Sequence, residues 1–270
     1  TFFEVIIMKG FFSWALFFVL IGSSISINGH DLESAINSSD RTEAYKARDK
    51  YRNPYETINF FQIKPDMTVV ELSPGGGWYT EIFANYLHEP GNLIAAHFDA
   101  SSNRAYFKNS RLKFEQKMAS SPIYKNVSIV DLSSDLAPEN SVDAIVTFRN
   151  LHNWLGQQMD DIFSASYKAL KPGGVFGVVE HRANASTSLE VMKKTGYVTE
   201  EHAIKIATKH GFELVGSSEI NANPKDTKDH PKGVWTLPPS LRLKAENKEK
   251  YMSIGESDRM TLLFQKPTSD

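Results

Sequence analysis

The chain has 270 residues, 41% of them hydrophobic and 23% charged, with a formal net charge of −2 at pH 7. That composition suits one sizeable α/β domain or two small ones and leaves no electrostatic case for a nucleic-acid partner. It contains no cysteine, which excludes disulfides, thiolate metal sites and a cysteine nucleophile.

The N-terminus reads Met8-Lys9-Gly10, then an apolar run from Phe11 to Ile21, then Gly22-Ser23-Ser24-Ile25-Ser26. A basic start, a short apolar stretch and a small-residue segment make a signal peptide over residues 1–29, with Met8 the expected start. The run is well short of the roughly 20 residues a spanning helix needs. Lys9 before it and Asp31 and Glu33 after it place the domain outside the cytoplasm. The expectation is therefore an exported, periplasmic protein with no stable membrane anchor after cleavage, a membrane-tethered form being the alternative.

Residues 30–64 read as a helical extension of two helices, Pro54 opening the second. From Lys64-Pro65-Asp66 onward strands and helices alternate. Strands are expected at 68–72, 93–98, 127–130, 144–148, 175–180, 212–215 and 260–265, and helices at 78–87, 101–118, 157–170 and 199–210. Such alternation predicts a mostly parallel sheet covered on both faces, with ligands at the carboxyl ends of its strands. The domain at 65–270 then carries a long insertion, 221–259. Its Trp235, Leu237, Pro238 and Pro239 suit an ordered lid over a binding site or a flap on the sheet edge.

The most informative stretch is Val69-Val70-Glu71-Leu72-Ser73-Pro74-Gly75-Gly76-Gly77-Trp78-Tyr79-Thr80. Three glycines between a strand and a helix let the backbone pass close to a ligand. The dinucleotide spacing fails, because Thr80 stands where a final glycine would be, and no Lys-Ser/Thr follows to make a phosphate-binding loop. A carboxylate four residues before Gly75 suits a cation instead. S-adenosylmethionine (SAM), with its ammonium and sulfonium, is such a ligand.

On these residues the stretch resembles the first motif of class I SAM-dependent methyltransferases, with Ser73 in place of the first glycine. Asn140-Ser141-Val142-Asp143-Ala144-Ile145-Val146 and Leu170-Lys171-Pro172-Gly173-Gly174 resemble further segments of that family. The resemblance covers about residues 65–216. Across the mature chain, Tyr51-Arg52-Asn53-Pro54 and Gly233-Val234-Trp235-Thr236-Leu237-Pro238-Pro239 are similar to bacterial exported proteins described as predicted methyltransferases of unassigned substrate.

The resemblance implies a Rossmann-like α/β fold of seven strands, the last antiparallel, with SAM as cofactor. It implies that Glu71, Gly75, Gly76 and Gly77 hold the amino-acid part, Asp99 rather than His97 the ribose, and Asp131 the adenine, with Ser73 in the turn and Asn150 beside the methyl group also meeting the cofactor. His152, Asn153 and Glu180 would line the acceptor side as catalytic candidates, although a histidine at such a place is as readily a packed side chain. No histidine spacing suggests a metal. The expected function is methyl transfer to a small-molecule acceptor; an exported binding protein that kept the fold without catalysis is the alternative. Oligomeric state is not legible.

Overall fold

The computed structural model describes residues 31–133 and 135–268; the export signal expected at 1–29 lies outside them. Three short helices open the described chain, α1 (Leu32–Asn37), α2 (Glu43–Lys46) and α3 (Pro54–Phe60), where the sequence suggested two. Strand and helix then alternate through β1 (Thr68–Leu72), α4 (Trp78–Tyr86), β2 (Asn92–His97), α5 (Ala105–Met118), β3 (Val127–Asp131) and β4 (Val142–Phe148). There follow α6 (Leu151–Trp154), α7 (Gln157–Ala169), β5 (Leu170–His181), α8 (Leu189–Thr195), α9 (Glu200–Lys209) and β6 (Glu213–Ser218). Helix α10 (Lys248–Ile254) and strand β7 (Arg259–Gln265) complete the order. The short helices α6, α8 and α10 had too little periodicity to be read from sequence.

The strands form one seven-stranded sheet in the order β3-β2-β1-β4-β5-β7-β6. All neighbouring pairs are parallel except those of β7, which runs antiparallel to both β5 and β6. The order reverses between β1 and β4. Both strands therefore deliver their carboxyl ends to one crevice, the place where open α/β sheets bind ligands.

Strand alternation divides the core in two. Val70, Ile145, Phe176 and Phe264 face α7 and α9, packing with Ile162, Phe163, Ala203 and Ala207. Val69, Val146, Val179 and Leu263 face the other way, onto Ile58 of α3, Ile82 and Phe83 of α4, and Leu32 and Ile36 of α1. The N-terminal helices are thus part of the main core. Among the described residues no helix is long and apolar enough to cross a membrane.

Gly177 shows how tightly this second layer is packed. A Cβ there would lie 2.5 Å from ring atoms of Phe61, itself fully buried. Gly177→Ala is expected to destabilise the fold by about 1–3 kcal/mol. At roughly 2–4 °C per kcal/mol the loss would show as a lower melting temperature in a thermal scan. An unchanged melting temperature would mean that Phe61 has room to move.

Candidate active site

The crevice is built on the turn after β1. Ser73, Gly75 and Gly77 have φ of 50°, 61° and 85°, so the chain takes three left-handed steps within five residues. Glycine does this freely, while a serine is uncommon in that region. Ser73 is held there by its amide, which donates to Ala96 O at 2.8 Å, and its buried Oγ has no hydrogen-bond partner. A Cβ at Gly75 would meet nothing within 4 Å, so the space above it is open. Gly76 borders the same space, while its carbonyl accepts from Tyr45 Oη at 2.9 Å and Lys117 Nζ at 3.0 Å.

Glu71 lies beneath the turn, buried, and accepts a 2.6 Å hydrogen bond from Thr80 Oγ1. Burial pushes its carboxyl up to about 7, against the pull of Thr80, Lys117 and Arg52. Asn150 ties the ends of β1 and β4 together, its Nδ2 within 3.2 Å of the carbonyls of Leu72 and Ser73 and 3.1 Å of Thr147 Oγ1.

Above the turn is a cavity of about 300 Å³. Ser73, Gly75 and Asn150 form one wall, His152 and His181 another, and Trp235, Pro238 and Pro239 from the 221–259 segment a third. His152 Nδ1 and Glu180 Oε1 are 3.1 Å apart, and the buried Glu180 also accepts the amides of His152 at 3.3 Å and His181 at 2.7 Å. Its carboxylate therefore orients the imidazole through Nδ1 and leaves Nε2 without that partner, the arrangement of a held general base. Asn153 is exposed and absent from the cavity wall. Consecutive helical residues point about 100° apart, so α6 aims only one of the pair inward.

On the side expected to hold the nucleoside, the acidic residues have partners of their own. Asp99 is exposed and accepts from both the amide and the hydroxyl of Ser101 at 2.7 Å. Asp131 pairs with Arg111 at 2.7 Å. His97 is buried, its Nδ1 accepting from the Phe98 amide and its Nε2 3.1 Å from Gly75 O. That pairing assigns the proton to Nε2, and burial first of all lowers the ring's pKa and keeps it neutral. Neither Glu71, Asp99 nor Asp131 lines the cavity.

The residues sequence reasoning missed are cationic. Arg48, Arg52, Arg149 and Arg259 all line the cavity. Their sequence separation hides the cluster; the one local sign was an arginine directly after β4, at the ligand-binding edge. The same field bears on a second surprise. Ligand atoms of His152, Glu180 and His181 lie within 4.8 Å of one another, a spacing compatible with a metal ion. Burial first, then the positive charge of His152, Arg259, Arg149 and Arg52, depresses His181 well below its ordinary value. A metal cation there would meet the same repulsion from the arginines.

With this geometry in view, comparison with known proteins is decisive for one point. Residues 70–178, from β1 through most of β5, match the family model described as a methyltransferase domain. That stretch of the chain is similar to a methyltransferase domain. Its sheet order and its antiparallel β7 are those of the class I SAM-dependent fold. A SAM-dependent methyltransferase from Aquifex aeolicus is similar over 87% of this chain and 98% of its own, with a TM-score of 0.53 at 15% identity. A geranyl diphosphate methyltransferase in complex with SAM is similar over 87% and 94%, with a TM-score of 0.57 at 9% identity. The 4+2 cyclase SpnF is similar over 88% and 93%, with a TM-score of 0.60 at 13% identity. No curated protein sequence matches the chain. At such identities the likeness to solved structures is one of fold, and the chemistry rests on the site.

Proposed function

We propose that the chain transfers a methyl group from SAM to a small-molecule acceptor held in the cavity. The observation that carries this reading is the left-handed turn Ser73–Gly77, whose Ser73 and open Gly75 line the same cavity as His152, the neighbour of Glu180. A cofactor's amino-acid part fits this turn: Ser73 Oγ, Gly75 and Asn150 would hold it, with Glu71 below to favour its cationic end. Asp99 and Asp131 would take the nucleoside, giving up Ser101 and Arg111 as they do so.

When bound, SAM supplies an electrophilic methyl carbon. The protein's part is to align the acceptor, exclude water and take up a proton where the acceptor must lose one. His152 Nε2, steadied by Glu180, is the atom that would receive that proton. Trp235, Pro238 and Pro239 shield the cavity, and Arg242 lies 4.4 Å from the Trp235 ring and braces it. The apolar run at 11–21 supports export of this enzyme to the periplasm, with tethering as the alternative.

A second reading, a binding protein for a different ligand, draws on His97 occupying the ribose position and bonding the glycine turn. Calorimetric titration of SAM and S-adenosylhomocysteine separates the two. Micromolar binding is expected, weakened at least tenfold in Gly75→Leu, whose side chain would enter open space at a left-handed-backbone cost of about 1–2 kcal/mol. A folded wild-type chain that binds neither compound would sink the methyl-transfer reading in favour of the second.

A further inference from the structure

Four guanidinium groups surround the cavity from three parts of the chain. Arg48 and Arg52 flank the turn between α2 and α3, Arg149 follows β4, and Arg259 opens β7. On their side of the cavity they share one carboxylate. Glu256 accepts from Arg48 Nε at 2.6 Å and from Arg259 Nη2, and lies 3.8 Å from Arg52 Nε. Glu180, the other nearby carboxylate, is spent on His152 and two amides. The cavity is left with a surplus of positive charge.

Arg259 Nη1 donates to Tyr51 O at 2.8 Å, but other donors are left unused. Arg52 and Arg259 are 3% and 2% exposed, yet Nε of each is buried without a hydrogen-bond partner, as is Nη2 of Arg48. The Arg149 guanidinium makes no hydrogen bond or ion pair among the described residues, and its backbone sits at a φ of 64°. An arginine held in a left-handed conformation and aimed into a cavity without a partner is a strained feature of the kind that marks ligand sites. Burial, and next the charge of Arg259, push it down to about 10. Buried guanidiniums without acceptors are costly, and their planar forks match the oxygens of phosphates and carboxylates.

We infer that the cavity takes an anionic acceptor, a small molecule presenting a phosphate or carboxylate group to Arg52, Arg149 and Arg259. This rests on reading the cavity as the acceptor side of a methyltransferase. The cofactor's own carboxylate is the other source of an oxyanion. SAM, however, brings two positive charges with that one negative charge and would leave the surplus larger, so the compensating charge belongs to the acceptor.

The test is calorimetric titration of inorganic phosphate into the full-length chain at constant ionic strength, with and without saturating S-adenosylhomocysteine. Phosphate is expected to bind in both conditions. Arg149→Asn should weaken it at least tenfold while leaving S-adenosylhomocysteine affinity within about twofold. Asparagine tolerates the left-handed backbone. Should that variant fail to fold, Arg149→Lys, which keeps the charge and loses the fork, is expected to weaken phosphate binding by about threefold or more. Phosphate binding unaffected by either variant overturns the inference and leaves an adventitious ion only. Phosphate displaced by S-adenosylhomocysteine overturns it too, assigning the arginines to the cofactor's carboxylate. Loss of S-adenosylhomocysteine binding with phosphate binding intact strikes the methyl-transfer reading alone.

Discussion

Glu256→Gln should destabilise the fold by about 3–5 kcal/mol at neutral pH, the usual effect of removing one member of a buried ion cluster. Glu256 is 3% exposed and is the carboxylate that Arg48 and Arg259 bond and Arg52 approaches. Burial alone would raise its pKa, but the charge of Arg259, the Arg48 hydrogen bond and the charges of Arg52 and Arg149 outweigh burial and hold it down at about 2. The ordinary value is 4.5, so folding depresses the pKa. The stability it contributes is therefore full above about 4.5 and is lost as pH falls toward 2. At about 1.4 kcal/mol per unit, roughly 3 kcal/mol goes in that window. Urea denaturation at pH 7 and pH 3 should show wild type losing about 2 kcal/mol of that amount and Glu256→Gln losing little. If phosphate occupies the cavity, adding it should restore part of the variant's stability by mass action. A variant as stable as wild type would show that the four arginines do not depend on this one carboxylate.

Glu71→Gln should act in the opposite sense. Burial raises the Glu71 carboxyl from 4.5 to about 7, so here the folded pKa lies above the unfolded one. Its contribution is complete below about 4.5 and is lost as pH climbs through 7, where wild type must hold a buried charge. The amide keeps an acceptor for Thr80 and has nothing to ionise. The stability of Glu71→Gln relative to wild type is therefore expected to rise by about 3 kcal/mol between pH 4.5 and pH 8. Denaturant midpoints across that range measure it. A flat difference would mean that Lys117 and Arg52 already compensate the ionised form. The two carboxyls thus shape opposite limbs of one stability profile, since the same burial is opposed by four arginines at Glu256 and by little at Glu71.

The chemistry of the turn was legible because it is local. Glu71, Ser73 and the three glycines are neighbours in the chain, and a strand, a left-handed turn and a helix follow from their order and residue types. The seven strands were legible for a similar reason: runs such as Val69-Val70 and Ala144-Ile145-Val146 bury both faces, and right-handed crossovers restrict their arrangement. Asp99 and Asp131 were legible as positions at strand ends but not as partners of Ser101 and Arg111, because hydrogen bonding after a strand depends on where the next helix falls. For His152 and Asn153 the segment was clear and the facing was not, since a one-residue rotation on α6 decides which side chain meets the cavity.

By itself, then, the sequence determined the sheet, its direction of ligand binding and the glycine turn, all consequences of short-range pattern and backbone stereochemistry. Only the tertiary structure decided the character of the cavity. Arg52, Arg149 and the Glu256–Arg259 pair stand far apart along the chain, and each alone reads as a solvated charge. They converge because α3 packs against the second face of the sheet while β7 inserts antiparallel between β5 and β6, and long-range packing of that kind leaves no local signature in sequence.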